Sequence, residues 1–159
     1  ALYSQAAAVI ASKAGVDGMV GGQSLDVYLT DKPMDKEQLD YIFRLKTGAL
    51  IEAAFMAGGI LAGCDEKTQG LLCKAGYNVG FAFQIKDDIL DVTSTQEVLG
   101  KPVLSDERNN KTTYVTLYGL EKAEKDTYDM SKEVMGIIKS IGHNEYLEEL
   151  INMLIHRNK

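Results

Sequence analysis

The stretch Gly80-Phe81-Ala82-Phe83-Gln84-Ile85-Lys86-Asp87-Asp88-Ile89-Leu90-Asp91-Val92-Thr93 sets three aspartates in one of the most apolar neighbourhoods of the chain. Helical spacing begins upstream at Leu71, Leu72, Ala75 and Val79 and continues through Phe83, Ile85, Ile89 and Leu90 to Val92. It predicts one long helix with Asp65 as its N-cap. Within a helix, Asp87 and Asp91 share a face, and Asp88 stands about 100° round from Asp87. Like charges so placed cost a few tenths of a kcal/mol, roughly 0.2–0.5, before any partial desolvation is counted. Hard oxygen donors grouped in this way suit Mg²⁺, which keeps several waters and bridges carboxylates to phosphates. Taken alone, D-D-x-x-D also fits a plain solvated acidic face.

Working outward from that helix, the rest of the chain also reads as helix. Residues 3 to 14 are Ala-rich and break at Gly15. The next segment contains Gly18, Gly21 and Gly22; each weakens a helix by about 1 kcal/mol relative to Ala, so a close backbone approach or a kink must compensate. Asp31-Lys32-Pro33-Met34 is a loop, after which Asp35 and Gln38 form a capping box. Leu39, Ile42, Phe43, Lys46, Leu50, Ala53 and Ala57 then keep helical spacing to about Ala62, with Gly63 as the stop. Residues 93 to 111 are a polar connector, long enough for a lid or binding loop. Helices resume at about 113 to 119, 121 to 141 and 144 to 156. No stretch alternates in the manner of a strand. The expected class is all-α, an antiparallel helical bundle in one domain over residues 1–159.

Composition narrows the function. With 45% hydrophobic and 25% charged residues, the 159-residue chain can bury an ordinary core. A net charge of −6 with no basic block argues against nucleic acid as a partner. No apolar run approaches the roughly 18 residues of a membrane span, and the start at Ala1 shows no signal pattern. The expected compartment is the cytoplasm. Cys64 and Cys73 lie nine apart without a nearby His, which fits no common zinc spacing and reads as a pair of buried free thiols.

Cations stand in useful places. Lys46-Thr47-Gly48 lies in the middle of the long helix before the aspartates, among Leu45, Ala49 and Leu50. Such a lysine commonly snorkels; it can also meet a phosphate as a point charge, with the Thr47 hydroxyl adding a hydrogen bond. Gln84 shares the face of Asp87. Gly100-Lys101-Pro102 follows the aspartates, and Lys111 closes the connector. Together these groups describe a diphosphate-plus-magnesium site.

The combination of K-T-G in one helix, F-Q-I-x-D-D-x-x-D in the next, then G-K and a further lysine before T-Y resembles the trans-isoprenyl diphosphate synthases, the polyprenyl synthetases. The match runs from about Gly18 to Tyr118. The resemblance implies the C-terminal part of the isoprenoid synthase fold and Mg²⁺-dependent head-to-tail condensation of an allylic diphosphate with isopentenyl diphosphate. It implies that Asp87 is the principal Mg²⁺ ligand, with Asp88 and Asp91 ligating or positioning metal-bound water. It assigns Lys46, Thr47, Gln84, Lys101 and Lys111 to the substrate, with Lys46 and Lys101 acting at its diphosphate. Gly21-Gly22-Gln23 with Asp26 resembles a G-Q-x-x-D helix, read as packing near the site. A homodimer is implied as well.

The chain departs from the family pattern at Leu104-Ser105-Asp106, where Gly-Ser-Asp is common, and at Val115, where proline commonly follows T-Y. A larger departure is the lack of a second D-D, with arginine only at positions 44, 108 and 157. The family's first aspartate-rich motif is therefore absent. The expectation is the C-terminal half of a synthase, inactive by itself. Rival readings are a non-catalytic partner subunit, a terpene cyclase or head-to-head synthase, and a structural bundle with an acidic patch.

Overall fold

A computed structural model describes residues 1–94 and 112–157, and every regular element among them is a helix. In chain order these are α1 (Leu2–Ala14), α2 (Met19–Tyr28), α3 (Lys36–Ile42), a π-helical turn (Phe43–Gly48), α4 (Ala49–Leu61), α5 (Glu66–Thr93), α6 (Tyr114–Tyr118), α7 (Leu120–Ile141) and α8 (Glu145–His156). The all-α expectation holds. No described helix is long and apolar enough to cross a membrane.

Local chemistry sets the ends of these helices. The Asp35 carboxylate accepts from the Gln38 backbone N–H at 2.9 Å, and the Gln38 side chain accepts from the Asp35 N–H at 3.0 Å, completing the expected capping box. Asp65 caps α5 by accepting from Thr68 N–H at 2.8 Å, and Asn144 caps α8 by accepting from Leu147 N–H at 2.9 Å. Gly63, at φ +72°, provides the left-handed residue between α4 and α5.

α5 is the central element, with buried residues on most of its faces between Ala75 and Asp91. One side sends Phe81, Ile85 and Ile89 into a core with Leu29, Met34, Leu39, Ile42, Phe43, Tyr114 and Ala123. The other sends Ala75, Val79 and Ala82 against Val134, Ile137 and Ile138 of α7 and Ile151 and Ile155 of α8. α4 and α7 lie along it, and α1 packs on α4.

The segment from α3 to α4 departs from the expected regular spacing. Through the π turn the helix takes an extra residue, which rotates the following face by about one residue's 100°. Leu50, expected inside, is 42% exposed, whereas Ala49 is fully buried and Ala53 and Ala57 are buried as expected. Glu52 is turned inward to 2% exposure, where Lys13 of α1 forms an ion pair with it. The two cysteines are free thiols, half-buried rather than buried.

Candidate functional site

Gly80, Gln84, Asp87 and Asp91 fall on one stripe of α5, at steps of four, three and four residues. The π turn crosses α5 at the start of that stripe. A Cβ built on Gly80 would stand 2.5 Å from the Gly48 Cα, so the two backbones touch there and only glycine fits. Lys46 and Thr47 immediately precede Gly48. Their backbone therefore runs against α5 near Gly80; along α5, Gln84 follows one turn further on and Asp87 roughly 10 Å further on, at 1.5 Å per residue. Gln84 is half-buried and the Asp87 side chain is 49% exposed.

α2 presses on the same turn from the other side. A Cβ at Gly22 would stand 2.3 Å from the Lys46 backbone nitrogen, and this close approach is what the glycines of α2 provide. One helical turn beyond Gly22, Asp26 accepts from Lys46 Nζ at 2.6 Å. Asp26 thus does more than pack: it fixes the ammonium of the lysine read from sequence as a phosphate contact. The π turn itself left no mark in the sequence, since Phe43–Gly48 contains no residue that interrupts the helical pattern. Irregular turns of this kind recur at functional sites.

The adjacent aspartates are handled differently. Asp88 is buried, at 7% exposure. Its Oδ2 accepts from the Tyr114 backbone N–H at 2.6 Å, at the first turn of α6. Tyr114 is packed among Phe43, Phe81 and Tyr118 and donates its hydroxyl to Asp126 at 2.6 Å. Burial, with that hydrogen bond, pushes the Tyr114 phenol well above its usual range. Burial alone would raise the Asp126 carboxyl, but hydrogen bonds from Lys122 and Tyr114 and the Lys122 charge hold it below its usual range. Just upstream, the Thr112 hydroxyl accepts from Met34 N–H at 3.0 Å. The far end of the connector is therefore pinned beside the aspartates. Asp91 is 1% exposed.

Asp87 has a cationic neighbour that sequence spacing did not single out. Arg157, just past α8, donates from Nη2 to Asp87 Oδ1 at 2.5 Å and to the Phe83 carbonyl at 3.3 Å. The only trace of it in the sequence is the scarcity of arginine, because its partner lies 70 residues away.

Among the described residues no three carboxylates, imidazoles or thiolates converge into a ready cage for a metal ion. Mg²⁺ commonly takes one or two carboxylates and fills its remaining positions with water and substrate phosphates. The exposed Asp87 carboxylate offers such a ligand, and the donor set is all oxygen. Lys101 and Lys111, expected at the diphosphate, lie outside the described residues.

Comparison with known proteins agrees with this geometry. Residues 3–154 match the polyprenyl synthetase family. The chain is 40% identical over 152 residues to the farnesyl diphosphate synthase of Micrococcus luteus, covering 95% of this chain and 52% of that protein. It is 41% identical over 119 residues to the geranylgeranyl diphosphate synthase of Cyanophora paradoxa, covering 74% of this chain and 40% of that protein. The crystal structure of a geranyltransferase from Helicobacter pylori, complexed with magnesium and isoprenyl diphosphate, superposes with a TM-score of 0.77 at 31% identity; the match covers 98% of this chain and 51% of that one. A geranylgeranyl pyrophosphate synthetase from Pyrococcus horikoshii gives a TM-score of 0.81 at 26% identity, over 98% of this chain and 59% of that one. The chain spans about half the length of the relatives it matches. An all-helical fold built on α5, a lysine-bearing π turn crossing its aspartate stripe, and these similarities together make this chain a member of the polyprenyl synthetase family.

Proposed function

We propose that this chain is the C-terminal half of a trans-prenyltransferase that condenses an allylic diphosphate with isopentenyl diphosphate head to tail. The observation that carries the reading is the crossing at Gly48 and Gly80. It docks the turn that carries Lys46, anchored by Asp26, on the helix that carries Gln84 and Asp87, which supports this reading. The relatives that match the chain are named as synthases of such products.

In this reading Asp87 is the carboxylate that holds Mg²⁺, with Asp91 next along its stripe. Asp88 secures the chain at Tyr114, close to the same centre. When bound, Mg²⁺ supplies Lewis-acid stabilisation of a leaving diphosphate. Lys46 places fixed positive charge where the diphosphate oxygens gain negative charge as the C–O bond breaks, and Asp26 keeps its ammonium in position. Thr47 and Gln84 donate hydrogen bonds to the allylic substrate. Lys101 and Lys111 approach the diphosphate from the connector. The isopentenyl double bond then attacks the allylic cation, and a proton leaves to the departing diphosphate. Apolar helix faces around the stripe keep water from that cation.

The whole enzyme is proposed to be a cytoplasmic homodimer whose other half carries the first aspartate-rich motif, so the present chain alone is inactive. The test is incubation of the full-length protein with an allylic diphosphate, isopentenyl diphosphate and Mg²⁺. A chain-elongated product is expected, and its absence at saturating substrates contradicts the reading.

A further inference from the structure

Arg157 makes three contacts with a single turn of α5. Its Nη2 bonds Asp87 Oδ1 and the Phe83 carbonyl, and its guanidinium lies 3.6 Å from the centre of the Phe83 ring. Phe83 and Asp87 are four residues apart, so the guanidinium spans exactly the kind of same-face pair a helix presents. The Arg157 side chain is 16% exposed, against 49% for Asp87. The cation is thus tucked under while the carboxylate faces solvent. The counter-ion of Asp87 is therefore the residue just past the end of α8.

A guanidinium and a divalent ion on one carboxylate repel each other, and both draw on the same oxygen lone pairs. We propose that Arg157 is a resting counter-ion of Asp87 that exchanges for Mg²⁺, so that metal arrival releases the end of α8 from the aspartate stretch. The proposal rests on the reading of Asp87 as a metal ligand. Coupling of this kind is reciprocal: if the metal displaces Arg157, removing Arg157 must tighten metal binding. The Phe83 stack and carbonyl bond do not involve the carboxylate, so they account for why the side chain is seated in its resting position. A purely structural clamp of α8 on α5 would lower stability when removed and leave metal affinity unchanged.

The experiment uses the full-length protein with Mn²⁺ as a paramagnetic probe of the Mg²⁺ site, comparing wild type with Arg157→Met and Asp87→Asn. Arg157→Met is expected to bind Mn²⁺ about two- to fivefold more tightly, the range of a half-exposed ion pair. Unchanged or weaker affinity in that variant overturns the exchange. A second measurement needs no variant at Arg157: trypsin cleaves after this residue, and Mn²⁺ is expected to accelerate cleavage of the bond after Arg157 in wild type. Protection by Mn²⁺, or an unchanged rate, also overturns it. Equal Mn²⁺ binding by wild type and Asp87→Asn removes Asp87 from the metal site, and failure of that underlying reading is thereby told apart from failure of the exchange.

Discussion

Gly80 of α5 and Gly48 of the π turn meet backbone to backbone, with no room for a Cβ between them. This contact docks the turn that carries Lys46 and Thr47 on the helix that carries the aspartates. Gly80→Ala must push the two helices apart and is expected to cost about 1–3 kcal/mol, as overpacked cores do. Urea unfolding gives the cost. Catalysis should fall by more than stability explains, because the displaced turn carries Lys46; full activity in a folded Gly80→Ala protein would separate the crossing from function.

Lys46 and Asp26 should behave as one unit. Lys46→Met removes a charge-assisted hydrogen bond to phosphate, worth about 1.5–3 kcal/mol, and kcat/KM for the allylic diphosphate is expected to drop roughly 10- to 100-fold. Asp26→Asn acts through the lysine, in the same direction and more weakly. The double variant should fall short of the summed losses, as partners in contact do. Strict additivity in steady-state kinetics would show that Asp26 does not act through Lys46.

Asp88 and the Tyr114 N–H form a buried pair, which gives two substitutions opposite fates. Asp88→Ala leaves that N–H without its acceptor, at a cost of about 1–3 kcal/mol. Asp88→Asn keeps an acceptor oxygen and should be milder in stability. Hydrogen exchange at the Tyr114 amide reads the difference directly. Equal protection in Asp88→Ala and wild type would mean that Asp88 does not hold this end of the connector.

Tyr114 and Asp126 give the fold a pH window. The Asp126 carboxyl sits below its usual range in the folded protein. Its contribution is therefore present above the ordinary carboxylate pKa of about 3.9 and is lost as pH falls through the folded value. The Tyr114 phenol is raised, so its contribution is present below about pH 10 and is lost as pH climbs past that point towards the folded value. Tyr114→Phe should reduce the alkaline loss, leaving the part due to Tyr77, which burial also raises, and should flatten the acid one, as read from urea midpoints across pH. Unchanged limbs on both sides would remove this pair as their source.

Much of the fold could be read from the sequence because α5 carries a sustained helical run of apolar residues and α3, α5 and α8 carry explicit caps at Asp35, Asp65 and Asn144. The aspartate stripe and Lys46 were legible for the same reason: polar residues in apolar helical surroundings declare themselves. The π turn was not, because nothing between Phe43 and Gly48 disturbs the spacing, and neither the exposure of Leu50 nor the burial of Glu52 was foreseen. Nor were the partners of the aspartates. Tyr114 lies 26 residues from Asp88, and Arg157 lies 70 from Asp87. Pairings over such distances are fixed by how helices dock, which local periodicity does not encode.

The central claim is that Asp87 holds the metal at which the diphosphate leaves. Steady-state turnover of Asp87→Ala in the full-length protein, with an allylic diphosphate, isopentenyl diphosphate and saturating Mg²⁺, tests it most directly. The account predicts turnover lower by orders of magnitude in a protein that still folds; near-normal turnover would contradict it.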